Sequence, residues 1–432
     1  MSTGLIWFRN DLRINDQQSL ALSTQKHHKV IGVYCFDPRQ FSTSVFGFKK
    51  TEKFRTQFLI ETVTQLKLNL AKYNIPLFVY SATPETMLPE IVTTHNCTHI
   101  YCQKEWTAEE LQVTTAVKKA LIPKLIAWVE SYDQFLFHPD SIPFSVEKTP
   151  QIFTHFRKSI EKQTLVLPIA KISSSFKQQP IENNSTIPKL TDLGFDNFET
   201  PSHSAFPFKG GENAALDRLH NYIWVSKKIS YYKKTRNGLL GSDYSSKFSA
   251  WLANGSISAK TIYFEIKKYE KEVQKNDSTY WLIFELIWRD YFKYISLKHQ
   301  NAIFKIGGIL NKEYAWSTDL KPVNEWINGT TGKTFVDANM LELQHTGWMS
   351  NRGRQNVASY FAKDLLLDWR IGAAYFEAQL IDYDVHSNYG NWMYVAGVGN
   401  DPRDRKFNVD LQAKRYDPNY KFQRLWLQPT LF

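Results

Sequence analysis

Cysteine is scarce: Cys35, Cys97 and Cys102 are the only three in a chain of 432 residues. An odd, sparse set without CxxC spacing builds neither a disulfide framework nor a thiolate metal site, and it fits the reducing cytoplasm. Long apolar runs are missing too. The start, MSTGLIWFRNDLR, reaches Arg9 and Asp11 after four apolar residues, so it reads as neither a signal peptide nor a membrane span. No GxxxxGKS or GxxxxGKT loop and no GxGxxG turn occurs, which argues against an NTPase and a Rossmann dehydrogenase. Without HExxH, a Cys/His cluster or a GxSxG elbow, metal hydrolysis and serine acyl transfer lack support, and no metal is expected.

What is abundant points elsewhere. The length suggests two or three domains, two being the first reading. With 13 Trp, 22 Tyr and 29 Phe, aromatic residues reach 15%, enough to line cavities as well as cores. Lys plus Arg exceeds Asp plus Glu by 53 to 42, a net charge of +11. Such a surface suits a polyanionic partner, with nucleic acid the first candidate.

Up to about residue 135, short apolar strands alternate with amphipathic helices. Leu5 to Phe8, Val30 to Phe36, Leu77 to Tyr80 and His99 to Tyr101 read as strands, and Lys53 to Tyr73 as a helix. This βαβ rhythm predicts a Rossmann-like parallel sheet, an α/β domain over 1–135. From 136 to 207 the texture turns polar, as in SSSFKQQPIENNSTIPK, and predicts a long linker with one helix near Phe153 to Glu161. From 208 to 432 the pattern is all-α. Helices are expected over Gly211 to Tyr222, Ser246 to Asn254, Thr261 to Glu272, Thr279 to Leu297, Val357 to Asp368 and Ala373 to Leu380.

Four segments of the second half carry chemistry. In STYWLIFELIWRDYFKY, Trp281, Glu285, Trp288 and Phe292 share one helical face, setting a carboxylate among rings. A buried, unpaired carboxyl takes up a proton and can donate to a bound carbonyl; an ion pair with a cation such as Arg289 is the commoner outcome. TRNGLLGSDYSSKFSAWLANG gathers Ser242, Ser245, Ser246, Ser249 and Lys247 around a helix start, where amides and hydroxyls can take a phosphate or simply cap the helix. In LQHTGWMSNRGRQ, Arg354 can pair with a carboxylate across a flat ring, and Asn351 and Gln355 can read a base edge; a solvated basic turn would look the same. Between Arg370 and Gly399, Asp382, Asp384 and Asn388 precede Tyr389, Asn391, Trp392 and Tyr394. Groups able to grip a heteroaromatic ring thus lie beside oxidisable side chains.

WFRNDLRINDQQSL, FELIWRDYF, TGWMSNRGRQ, DLLLDWR and IDYDVHSNYGNW, in that order, resemble the photolyase and cryptochrome flavoprotein family from residue 3 to the C-terminus. YYKKTRNGLLGSDYSSKFS, Gln355 where cyclobutane photolyases carry Met, and Tyr394 where they carry a second Trp are similar to the DASH cryptochromes. The resemblance implies FAD in the helical domain. Its pyrophosphate region would be held by Tyr232 and the run Ser245, Ser246, Lys247, Phe248 and Ser249, with Arg289 also on the cofactor. Arg354 and Asp382 would pair over the isoalloxazine, while Asp384 and Asn388 would contact it. Asn388 would face N5, where a neutral amide can accept a hydrogen bond without repelling an anionic reduced ring. Trp392, Trp369 and Trp316 match the family's electron relay, ordered from flavin to solvent. A 5,10-methenyltetrahydrofolate antenna would meet Glu105 or Glu109.

For DNA, the resemblance implies a cavity of Glu285, Trp288, Asn351, Arg352, Gln355 and Tyr394 that receives a flipped-out pyrimidine dimer. Arg236 and Arg352 would take the flanking phosphates. The expected activity is repair of cyclobutane pyrimidine dimers under blue or near-UV light. Catalysis would fall to Glu285, Asn388 and the three tryptophans. Gln355 and Tyr394 make the cavity polar and weaken capture from a duplex, whereas an unpaired lesion avoids much of the flipping cost, so single-stranded DNA is the expected substrate. The alternative is a blue-light photoreceptor signalling through flavin redox change, although RLWLQPTLF offers no long tail of the kind signalling cryptochromes use. A light-independent nucleotide-binding protein is a third class, and it would require the second-half motifs to be structural. A cytoplasmic monomer without membrane attachment is expected.

Overall fold

Strands β1 (Thr3–Trp7), β2 (Lys29–Cys35), β3 (Leu77–Tyr80), β4 (Cys97–Gln103) and β5 (Ala127–Ser131) form one parallel sheet, ordered β3-β2-β1-β4-β5. They belong to a computed structural model that describes residues 2–428. β1 is buried along its whole length because it sits between β2 and β4, with Leu5 opposite Ile31 on one side and Ile100 on the other. Burying each of these side chains contributes roughly 2 kcal/mol. Such two-sided burial explains the continuous apolar runs. β5 was not read from the sequence: AWVES is a partly exposed edge strand with no apolar run.

Helices α1 (Gln18–Lys26), α2 (Lys53–Ala71), α3 (Pro84–Thr94) and α4 (Ala108–Leu121) belong to this first part, and α5 (Phe153–Gln163) lies in the polar stretch. The remainder is helical: α6 (Glu212–His220), α7 (Tyr232–Thr235), α8 (Ser249–Ala253), α9 (Ala259–Glu272), α10 (Asp277–His299) and α11 (Leu320–Ile327). After these come α12 (Thr334–Thr346), α13 (Asn351–Ser359), α14 (Trp369–Gln379), α15 (Val385–Ala396), α16 (Val409–Tyr416) and α17 (Lys421–Leu427). The α/β and all-α architecture expected from the sequence is therefore present.

Two expected helices differ. The segment Ser246 to Asn254 forms only the short α8, because Lys247 adopts a left-handed backbone, φ 67°. Val357 to Asp368 is not one helix: α13 begins at Asn351, capped by the Ser350 hydroxyl accepting from the Gly353 amide, and ends in a π turn over 360–364.

Polar residues of the 164–210 stretch are used as backbone partners. Asn183 donates to the Leu77 carbonyl and Ser185 accepts from the Val79 amide, both on β3, while Gln178 makes two bonds to Val30. Side chains thereby satisfy the open edge of the sheet. The two halves are joined by buried charges: Glu212 accepts from the amides of Ile14 and Asn15, and Asp290 from those of Leu136 and Phe137. Gly255, φ +73°, lets the segment after β1 pass: an added Cβ would stand 2.0 Å from the Asn10 carbonyl oxygen. Among the described residues no helix is long and apolar enough to cross a membrane.

Candidate functional site: two adjoining cavities

Strand order reverses between β1 and β4, and ligand crevices form outside the carboxyl ends of strands at such a switch point. A cavity of about 330 Å³ opens there, between Trp7 to Asn10, Cys35, Gln103 and Glu105 on the sheet side and Lys293, Glu377 and Asp384 on the helical side. Glu105 is buried, and that burial pushes its carboxyl up to about 7. Glu109, the other candidate, is exposed at the rim and paired with Lys50. The cavity also leaves Gln103 Oε1, Gln134 Oε1 and Arg55 Nε buried without partners among the described residues. These spare donors and acceptors fit a polar heteroaromatic ligand such as a folate. Glu377 and Arg55, which join this wall from α14 and α2, were missed because nothing local in their segments marks them.

A second, smaller cavity is built by α13, the end of α14, the turn after it and α15. Arg354, Asp382, Asp384, Asn388 and Trp392 all line it. Arg354 Nη2 lies 3.0 Å from Asp382 Oδ1, and its Nε is fixed by the Met349 carbonyl. Asp384 caps α15 by accepting from the Ser387 amide at 2.8 Å, and its other oxygen takes Lys293 at 2.8 Å. Burial raises the Asp384 carboxyl, but the positive groups around it, Lys293 first among them, together outweigh burial and hold the group well below the ordinary carboxylate range. Asn388 donates to the Ala373 carbonyl at 3.0 Å, which leaves its amide oxygen as the spare acceptor. Trp392 Nε1 is buried without a hydrogen-bond partner among the described residues, and Asp382 Oδ1 is buried with only its ion pair to Arg354. A spare amide oxygen, an unpartnered indole N–H and an Arg–carboxylate pair around one cavity fit the flavin that the donor set implies.

The serine segment is shaped by Arg218, which the sequence reading missed. This buried guanidinium binds the carbonyls of Ser242, Ser245 and Ser246 and the Asp243 carboxylate. Carbonyls drawn inwards leave the hydroxyls of Ser245, Ser246 and Ser249 without described partners. Tyr232 is buried on α7, and Phe248 packs in the core. Lys247 Nζ is buried over the rings of Tyr244 and Trp348, at 3.4 and 4.6 Å, and has no hydrogen-bond partner among the described residues. Arg289 is spent on the carbonyls of Gln134 and Leu252, although it reaches the larger cavity.

Asn351 and Gln355 line the smaller cavity at its mouth. Nearby, Trp288 stacks on Phe153 of α5 at 3.6 Å, and its edge faces Tyr394 at 6.1 Å. Glu285 pairs neither with Arg289 nor stands alone: its partner is Arg236. Arg352 donates to Gln355 Oε1 at 2.9 Å and Asn237 Oδ1 at 3.1 Å. Both arginines expected to meet phosphates are thus engaged within the protein in this state. Phe153 was invisible from sequence because it comes from a polar stretch 135 residues before its partner.

Trp392 and Trp369 are both buried, and Trp316 alone of the three is half-buried. The backbone of Ser317 bonds to Leu366 and Asp368, which brings Trp316 beside the start of α14. Among the described ring contacts none joins two of these three; the tryptophan against Trp392 is Trp326, at 6.3 Å. Gly372 presses on Trp392, for a Cβ there would lie 2.3 Å from the indole.

A family description of DNA photolyase matches residues 4–175, and one of the FAD binding domain of DNA photolyase matches 281–431. The chain is 45% identical over 426 residues to a cryptochrome DASH of Gloeobacter violaceus, covering 98% of this chain and 85% of that one. It is 45% identical over 446 residues to a rice protein named cryptochrome DASH, chloroplastic/mitochondrial, covering 98% and 76%. The crystal structure of a Synechocystis cryptochrome superposes with a TM-score of 0.94 at 44% identity, covering 99% of this chain and 89% of that one.

Proposed function

Because this chain belongs to the photolyase and cryptochrome family, in its cryptochrome DASH branch, we propose that it is a light-driven lyase for cyclobutane pyrimidine dimers in single-stranded DNA. The observation that carries this reading is one shared cavity. Asn351 and Gln355, suited to a base edge, line the same space as Asp382, Asp384, Asn388 and Trp392, suited to a flavin. FAD, when bound and reduced, supplies on excitation the one electron that opens the dimer. Two carbon–carbon bonds of the cyclobutane ring break and the electron returns, so the reaction is redox-neutral. The chain's own residues would hold and polarise: the Arg354–Asp382 pair and Asp384 would grip the flavin, and the Asn388 oxygen would accept a hydrogen bond from its protonated N5.

Glu285 enters through its partner. A DNA phosphate offers Arg236 a more favourable anion than a single carboxylate, because each phosphate releases condensed counterions when neutralised. With Arg236 drawn to the strand, Glu285 is left among Trp281 and Trp288, where a carboxyl takes a proton and can donate to a dimer carbonyl. Repair is thereby tied to strand binding. Exposed Asn351 and the Arg352-held Gln355 favour a lesion already unpaired, since duplex capture adds a flipping cost.

The larger cavity is proposed to take 5,10-methenyltetrahydrofolate against Glu105. A monomer in the reducing cytoplasm suits three buried free thiols. The test is illumination of reduced holoprotein with single-stranded and duplex oligonucleotides carrying one defined dimer. Repair of the single strand is expected, with at least tenfold less from the duplex, and Glu285→Ala should lower both. No repair of either substrate sinks the lyase reading in favour of a redox photoreceptor.

A further inference from the structure

We propose that the two cavities are energetically coupled through the Lys293–Asp384 ion pair, so that the charge on the flavin changes how tightly the antenna ligand binds. The inference rests on the flavin and folate readings above. Asp384 lines both cavities, and Lys293 lines the larger one. The pair is buried, with Lys293 Nζ 2.8 Å from Asp384 Oδ2.

An ammonium has three protons to give, and Asp384 is the only described acceptor that meets Lys293. Its remaining donors therefore stand at the wall of the antenna cavity. Other charged or titratable groups facing this pair are Glu105 from the loop after β4, His386 from α15 and Arg289 from α10. His386 is kept neutral by burial and is pinned by Ser296 at 2.7 Å, so it does not absorb a change of charge. Lys293 is the cation that stands between Asp384 on the flavin side and Glu105 on the antenna side.

Reduction puts negative charge in the flavin cavity beside Asp384. Lys293 is then drawn more strongly to that side and is less available to Glu105, which makes the antenna cavity more negative. Methenyltetrahydrofolate carries a delocalised cation on its bridged ring and should bind more tightly to the reduced protein. Linkage makes the effect reciprocal: the folate must raise the flavin potential by the equivalent amount. A tenfold ratio of affinities corresponds to about 30 mV for a two-electron couple.

The experiment titrates the FAD-loaded full chain with 5,10-methenyltetrahydrofolate in both redox states, then measures the flavin midpoint potential with and without saturating folate. Three- to tenfold tighter binding to the reduced protein is expected, with a matching positive shift in potential. Lys293→Met should bring the ratio to within twofold of one, and Lys293→Arg should keep it. Lys293→Gln, which can still donate to Asp384, serves if the methionine variant does not fold. Equal affinities in wild type, or a ratio untouched by Met and Gln, overturn the coupling while leaving the antenna reading intact. Absence of folate binding in both states overturns the antenna reading and the coupling with it.

Discussion

Asn388 illustrates how one hydrogen bond decides a side chain's chemistry. One of its N–H groups goes to the Ala373 carbonyl, which fixes the amide and leaves its oxygen as the spare acceptor at the smaller cavity. A carboxylate there would repel an anionic reduced ring. Asn388→Asp should therefore change the yield of flavin radical on illumination, followed by absorption spectroscopy, and an unchanged yield would remove Asn388 from this role. Residue types were legible in the sequence; partners were not. The pattern in FELIWRDYF put Glu285 on an aromatic face, yet its counterion is Arg236, 49 positions earlier, because α7 crosses α10 there. Lys247 shows the same limit, since nothing local predicts that its nitrogen lies over the rings of Tyr244 and the distant Trp348.

At the scale of elements, α10 owes its start to a capping box. Asn276 accepts from the Ser278 and Thr279 amides, and Thr279 accepts from the Asn276 amide. Asn276→Ala should cost about 1 kcal/mol of stability, read as a lower Tm with an unchanged flavin spectrum. Asp384 caps α15, which carries Asn388 and Trp392 one turn apart, so one element serves both the proposed flavin grip and the proposed first relay step. Trp392→Phe should slow photoreduction at least tenfold while FAD stays bound; loss of flavin instead would assign the indole to packing. Helix positions were readable from apolar spacing. The collapse of α8 and the π turn after α13 depended on backbone conformations that spacing does not encode.

The whole molecule depends on buried charges between its halves. Burial raises Asp290 to about 6, against the Phe137 and Leu136 amides that lower it. Over pH 4 to 6 the folded protein keeps a proton that the unfolded chain has released. Stability from this group is thus present at low pH and lost as pH rises to about 6. The stability advantage of wild type over Asp290→Asn should shrink by ~2–3 kcal/mol across that window, as measured by denaturant unfolding. A difference independent of pH would mean that Asp290 is ionised throughout. Asp384 works the other way, its stabilising contribution being lost only in strong acid.

The sequence by itself determined the parallel sheet, the helical second half and the residue types of the flavin grip, because apolar periodicity and local capping are written in neighbouring residues. Its motifs also carried the family resemblance. Only the tertiary structure decided that Glu105 rather than Glu109 is buried at the larger cavity, that Phe153 backs Trp288, and that Arg218 gathers the serine loop. The same holds for Lys293, which stands between two cavities. Each of these pairings joins residues distant in the chain. Which charge meets which partner is settled by how the helices cross and by the desolvation that follows, and neither is a property of local sequence.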